Sequence, residues 1–366
     1  MIEIDLERLR TLGLSPALAK QAAAAAAALE EERPDAPAQL MRITEVHRET
    51  LNLSDGARDL DARALPRLHR RLGDDHTALA VGDWVFAAAD AHAQTWVLAL
   101  VPPLSHISRR DAEGRPHPVV SNVDTALLVM GLDDDFNPRR IERYLALVQA
   151  SAGVLPVVVL TKADIATRTP GLIAERLEAL SGRVPAAVDL FIVDGTDPDT
   201  ARRLAPYLAL GQTLVVLGSS GAGKSTLTNT LLGRDVQGTG VVREHDGRGQ
   251  HTTTSRSLHR LPAGACVIDT PGLRALRPDV DETQLATTFA DIAKLASRCR
   301  FRDCAHLDEP GCAVREVIDA DRLRNFHKLL REARRDTMGV LERQQLLATW
   351  KARGREARVN MKAKRG

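Results

Sequence analysis

The sequence predicts a multidomain α/β chain: an N-terminal β-barrel of OB type, a circularly permuted P-loop domain, and a C-terminal helical region that binds zinc. Three observations carry this. Short strand-like segments give way near residue 119 to apolar runs alternating with helical stretches. The nucleotide motifs among those runs stand in an unusual order. Three cysteines and a histidine then crowd into the stretch Cys299–Cys312. A chain of 366 residues is also too long for one ordinary domain.

Taken in order, residues 1–37 read as a helical extension. The run Ala22–Ala28, followed by Glu30-Glu31-Glu32, is a strong helix former and too short for a membrane span. Pro34-Asp35-Ala36-Pro37 closes it as a linker. Residues 38–118 read as the barrel, from the strand-like runs Leu79–Phe86 and Thr95–Val101; a sandwich remains open for this stretch. Residues 119–278 carry the runs Thr125–Met130, Val157–Leu160, Leu190–Val193, Thr213–Leu217 and Cys266–Ile268. Near-continuous apolar runs separated by helices are the pattern of parallel strands buried on both faces. Residues 279–366 read as helical. From Arg322 onward they hold fourteen Lys/Arg against four Asp/Glu.

The start of the chain lacks the basic-then-apolar layout of a signal peptide, and the reading is cytoplasmic, with no membrane partner. With cysteines used in this context, disulfides are not expected. Net charge is only +2, so the basic character is local to the C-terminal tail. That tail, whose Leu323, Phe326, Leu330, Leu341 and Trp350 suggest amphipathic helices, fits phosphate-backbone binding; a solvated face is the plainer alternative.

The segment Gly218-Ser219-Ser220-Gly221-Ala222-Gly223-Lys224-Ser225-Thr226 fits G-x-x-x-x-G-K-[ST] between a strand and a helix, the context that motif needs. Its glycines let backbone N–H groups turn toward phosphate oxygens, Lys224 adds a point charge, and Ser225 is the expected Mg²⁺ ligand. Asp269-Thr270-Pro271-Gly272 lies about 45 residues downstream; it suits an acidic group near Mg²⁺ and a glycine N–H at the γ-phosphate.

Thr161-Lys162-Ala163-Asp164 resembles the N-K-x-D motif that reads guanine. A carboxylate there accepts hydrogen bonds from N1–H and the exocyclic amine of guanine, a pair that adenine lacks. Thr161 stands in place of asparagine, which puts one supporting hydrogen bond in question. Asp194-Gly195-Thr196 is the expected last base-contacting loop. Because the base-reading motif precedes the phosphate loop, the order is circularly permuted, and the segment after Asp269–Gly272 leads directly into the C-terminal region. Within the polar loop Gly247–Thr254, Thr252 or Thr253 would complete Mg²⁺ coordination, and His251 is the nearest group able to activate water. Leu273 occupies a position where a water-positioning glutamine is common and cannot do that work.

Cys299-x4-Cys304-x-His306-x5-Cys312 supplies three thiolates and an imidazole, a donor set that suits tetrahedral Zn²⁺ with no open position, hence one structural site. Cys266, inside an apolar run, reads as a core residue.

The permuted order of these motifs, the zinc spacing and the stretch Val81-Gly82-Asp83-Trp84-Val85 resemble the RsgA (YjeQ) family of circularly permuted GTPases, over roughly residues 40–330. The resemblance implies an OB-fold, a permuted GTPase domain and a zinc domain, with GTP/GDP, Mg²⁺ and Zn²⁺ as ligands. It implies GTP hydrolysis stimulated by the small ribosomal subunit, contact with its rRNA, action as a monomer, and a role in late subunit maturation with release of assembly factors. It favours His251 as the water-activating residue, with Lys224, Thr252 and Asp269 in the catalytic set and Thr253 beside Ser225 on magnesium. Two other classes compete: an ATP-dependent P-loop enzyme such as a kinase, which Asp164 argues against, and an RNA-binding scaffold with little turnover of its own.

Overall fold

The structure is a computed structural model, and it describes residues 4–32, 37–110, 115–234, 256–270 and 279–337. The chain opens with helices α1 (Leu6–Arg10) and α2 (Pro16–Glu32), capped by Asp5, which accepts from Arg8 N at 3.0 Å, and by Ser15, which accepts from Leu18 N at 3.2 Å. The alanine run is the body of α2. Leu18, Ala22, Ala26 and Leu29 recur on one face and pack with Leu40, Trp84, Phe86 and Leu98.

Those last residues belong to the barrel. Its strands are β1 (Gln39–Val46), β2 (Leu51–Ser54) and β3 (Asp59–Ala64), then, after helix α3 (Pro66–Asp74), β4 (Trp84–Ala89) and β5 (Thr95–Leu100). The order β1–β2–β3–β5–β4 closes through a β4–β1 pairing, antiparallel except between β3 and β5. Leu68 and Leu72 of α3 fill the core with Met41, Ile43, Leu53, Val85 and Val97. The expected strand run Leu79–Phe86 is shorter than the sequence suggests. The strand begins at Trp84, and Gly82 sits at φ 95° in a turn, where a side chain would strike the Ser121 carbonyl.

A hairpin of β6 (His106–Arg110) and β7 (Pro116–Ser121) forms its own small sheet; residue 118 falls inside β7. The α/β layer follows: β8 (Thr125–Gly131), α4 (Pro138–Gln149), β9 (Leu155–Thr161), α5 (Ala163–Ala166), α6 (Leu172–Leu180), β10 (Leu190–Ile192), α7 (Asp199–Arg203), β11 (Thr213–Gly218), α8 (Lys224–Leu232), β12 (Ser257–Arg260) and β13 (Cys266–Asp269). Strands β10–β9–β8–β11–β13 are all parallel, and β12 adds antiparallel to β13. Every residue of β8 and β11 is buried, which is why their sequences read as unbroken apolar runs. Cys266 is fully buried in β13.

Strand β12 also pairs with β1 through Glu45 and Ser257, so barrel and α/β layer share one hydrogen-bonded sheet. Arg42 reinforces that seam. Fully buried, it donates to the Gly82 carbonyl (3.2 Å), the Asn122 carbonyl (3.0 Å), the Thr213 hydroxyl (2.9 Å) and the Leu12 carbonyl.

The C-terminal helices are α9 (Glu282–Thr288), opened by a capping box of Asp281 and Gln284, α10 (Ala290–Ala296), α11 (Ala313–Val317) and α12 (Ala320–Thr337). They dock on α4. Glu142, fully buried, accepts from Arg322 (2.5 Å) and Asn325 (2.5 Å), and Arg143 forms a two-pronged pair with Glu332 at 2.8 and 2.9 Å. Burial pushes the Glu142 carboxyl up from its ordinary range, against the pull of Arg322. Leu323, Phe326 and Leu330 face the α9–α10 core, as their helical spacing implies; Leu341 and Trp350 lie outside the described residues.

Candidate nucleotide site and metal cluster

The phosphate loop sits where β11 ends, between β8 and β13, at the point where the strand order reverses; open α/β sheets bind ligands at such a point. Gly221 (φ 81°) and Gly223 (φ 86°) take left-handed conformations, and a side chain at Gly218 would strike the Val129 carbonyl. Lys224 and Ser225 open helix α8, with Thr226 next, so backbone N–H groups and the positive helix end meet at this loop. The Lys224 ammonium, buried, donates to the Ser219 carbonyl at 2.7 Å.

Asp269 closes β13 at 1% exposure. Its Oδ1 has no hydrogen-bond partner among the described residues, and burial raises its carboxyl above the ordinary range, offset by Lys224. A buried carboxylate oxygen with no partner among the described residues, together with a serine on the first turn of α8, is a hard-oxygen donor set that fits Mg²⁺. Ser225 and Asp269 are therefore the residues that could hold it. Thr270 donates to Val216 O at 2.6 Å and ties the end of β13 to β11.

At the end of β9, Thr161 donates to the Ala222 carbonyl at 2.6 Å. The Thr161 hydroxyl thus links the strand end that carries Asp164 to the segment Gly218–Thr226. Lys162 adopts φ 62°, and its ammonium pairs with Asp133 at 2.5 Å. Ala163 N donates to Val193 O at 3.2 Å. The Asp164 carboxylate is exposed and has no side-chain partner among the described residues, so its acceptor pair faces solvent. Asp194 accepts from Thr196 N (2.8 Å) and Thr196 Oγ1 (2.7 Å), and the Gly195 carbonyl accepts from Thr230 of α8 (2.6 Å). The loop after β10 therefore lies against the helix that starts at the phosphate loop.

His251, Thr252, Thr253, Gly272 and Leu273 lie outside the described residues. Sequence reasoning missed Asp133, Asp135 and Arg140. The available signal was the run Asp133-Asp134-Asp135 at the carboxyl end of a parallel strand, followed by Arg139-Arg140.

The ligand atoms of Cys299, Cys304, His306 and Cys312 all lie within 4.8 Å of one another. The sulfurs of Cys299 and Cys312 are 3.9 Å apart, and they stand 3.6 and 3.4 Å from His306 Nδ1. Metal bonds of about 2.3 Å to sulfur and about 2.0 Å to nitrogen place tetrahedral ligands about 3.5–3.8 Å apart, so the cluster fits one Zn²⁺. His306 takes φ 59°, and Glu309 holds it there by accepting from Ala305 N (3.0 Å) and Leu307 N (2.8 Å). Burial lowers the His306 pKa, favouring the neutral imidazole that a metal needs.

A glycine-rich loop at Gly218–Thr226, the acidic strand end at Asp269 and the strand end at Thr161–Asp164, on a sheet whose chain order is rotated, have the layout of a circularly permuted P-loop GTPase. Comparison with known proteins agrees. The profile of the RsgA GTPase family matches residues 101–278. The small ribosomal subunit biogenesis GTPase RsgA of Xanthomonas axonopodis pv. citri (strain 306) is 46% identical over 301 residues, covering 80% of each chain. The protein of the same description from Xanthomonas campestris pv. campestris (strain B100) is 47% identical over 287 residues, 77% of this chain and 76% of that one. Among solved structures, YloQ, a circularly permuted GTPase, aligns with a TM-score of 0.53 at 23% identity, over 82% of this chain and 97% of that one. YjeQ from Thermotoga maritima aligns at 0.56 and 20% identity, over 81% and 98%. The chain belongs to the RsgA family of GTPases.

Proposed function

We propose that the chain hydrolyses GTP to GDP and phosphate as a switch in late maturation of the small ribosomal subunit, contacting its rRNA, in the cytoplasm and as a monomer. The observation that carries the reading is the buried Asp269 oxygen, without a hydrogen-bond partner among the described residues and under the electrostatic influence of Lys224 at the end of the phosphate loop. A carboxylate oxygen kept dry and without a hydrogen bond costs free energy unless a cation completes it.

In this reading residues Gly218–Thr226 hold the phosphates, with Lys224 on the β- and γ-oxygens. Asp164 accepts from guanine N1–H and its amine, and Lys162 lies over the base. Thr161 sets the distance between base and phosphate segments through Ala222. Ser225, Thr253 and Asp269 would hold Mg²⁺, which would supply positive charge against the phosphates. Water activation is assigned to His251, with Thr252 beside it and Gly272 at the γ-phosphate, from the sequence. The division into 1–37, 38–118, 119–278 and 279–366 is part of the same reading, as is Zn²⁺ in a purely structural role.

The relatives' description as small ribosomal subunit biogenesis GTPases supports the partner. No helix among the described residues is long and apolar enough to cross a membrane. Phosphate release measured with and without small ribosomal subunits tests the reading, and stimulation is expected. Equal, negligible turnover in both would favour the RNA-binding scaffold instead.

A further inference from the structure

Helix α4 touches the phosphate loop at one end and the C-terminal helices along its length. On its first turn, Arg140 Nη1 donates to Ser219 Oγ at 2.7 Å and pairs with Asp135 at 2.6 Å, while Ser219 Oγ in turn donates to Asp135. Ser219 is therefore held at both ends. Its side chain is fixed by Arg140 and Asp135, and its carbonyl carries the Lys224 ammonium. Moving Ser219 moves the anchor of the one side chain that must meet the phosphates.

The same stretch of α4 is gripped by the C-terminal helices. Arg139 pairs with Asp321, Glu142 with Arg322, and Arg143 with Glu332. These contacts flank Arg140 in sequence and fix the helix that carries it.

We propose that Arg140 is a positioning residue for the phosphate loop, and that through it the docking of the C-terminal helices on α4 sets nucleotide affinity. This rests on the reading of Gly218–Thr226 as the phosphate site for GTP. It is a second route between nucleotide and C-terminal region, separate from the covalent one through residues 271–278. The physical basis is geometric. A charge-assisted bond to a buried hydroxyl fixes one loop position, and Lys224 inherits its precision.

The test uses the full-length chain with fluorescent GDP and GTP analogues, plus steady-state hydrolysis. In Arg140→Ala the Kd and KM rise about tenfold while kcat changes less than about twofold, the signature of lost binding rather than lost chemistry. Arg140→Lys, which keeps a donor and the pair with Asp135, recovers most of the affinity, a rescue that a merely structural role would not give. Asp321→Asn weakens binding about threefold in the natural sequence and has no further effect in the Arg140→Ala background, because coupled positions are non-additive.

Equal affinity of Arg140→Ala and the natural chain overturns the proposal, as does a fall in kcat at unchanged KM, which would put Arg140 on the reacting phosphates. Full additivity of Asp321→Asn and Arg140→Ala overturns the relay. A natural chain that binds neither nucleotide sinks the phosphate-site reading itself, an outcome distinct from the other three.

Discussion

Replacing Arg42 with methionine keeps the apolar stem and deletes the guanidinium that joins four segments of the chain. Its acceptors are all neutral: three carbonyls and one hydroxyl, with Trp84 beneath it, its ring centroid 5.5 Å from the guanidinium carbon. Burial lowers the Arg42 pKa, and nearby Cys266, Asp124 and Asp83 oppose that only at a distance. Gly82 keeps a second donor in Asn122 Nδ2 at 3.1 Å, whereas Leu12, Asn122 and Thr213 have no other donor to those oxygens among the described residues. Three bonds from a charged donor contribute about 6 kcal/mol gross, and the desolvation of the guanidinium offsets about half. The net loss is about 3 kcal/mol, a fall of about 8 °C in the first unfolding transition. Scanning calorimetry reads the transition, and hydrogen exchange at Leu12 and Thr213 shows whether the seam opens. Arg42→Lys should recover less than half, because one ammonium cannot reach four acceptors in a plane-fixed array. An unchanged or raised Tm in Arg42→Met would mean that desolvation cancels the bonds, and the idea of a clamp would be wrong.

Three further outcomes follow from the site and its surroundings. Burial raises the Asp83 pKa from 3.8 to about 6, so the folded chain binds that proton more tightly than the unfolded one. The associated stability is full below 3.8 and lost as pH rises through about 6; Asp83→Asn, which keeps the acceptor for Ala80 N (2.7 Å), should gain Tm over the natural chain at pH 8 and little below pH 3.8. A uniform loss at both pH values would contradict this. Elemental analysis should find about one zinc per chain; Cys299→Ser should abolish it and raise hydrogen exchange over residues 290–320, and retained protection without metal would refute a structural site. In Asp164→Asn, affinity for GTP should fall about a hundredfold with the loss of two charge-assisted bonds, while xanthosine triphosphate, with a carbonyl where guanine has its amine, should bind better; equal competition by ATP in the natural chain would remove the base assignment.

The sequence made the parallel strands legible because both faces of β8, β9, β11 and β13 are covered, leaving no polar alternation to confuse the pattern. It made the phosphate loop and the zinc spacing legible because each needs fixed residue types at fixed separations. It hid β12, whose Ser-Leu-His-Arg is short and polar and becomes a strand only between β13 and β1. It hid Arg42, set between Met41 and Ile43, where alternation suggests an outward-facing charge. It hid Glu142, which reads as the wet face of a helix until Arg322 and Asn325 arrive from about 180 residues away. Long-range partners decide such positions, and local pattern carries no trace of them.

The shared sheet has a practical corollary for anyone dissecting this chain. Strand β12 is fastened to the barrel by the Glu45–Ser257 pairing and by Arg260, which donates to the Gly56 carbonyl at 2.9 Å. Cutting the barrel away would strip one side of that strand and leave an open β-edge, the kind of surface on which chains stick to one another. A truncated GTPase portion that precipitates or binds nucleotide poorly would then report the wound, not the domain. The joint is better probed by point changes at Glu45, Ser257 and Arg260 than by scissors.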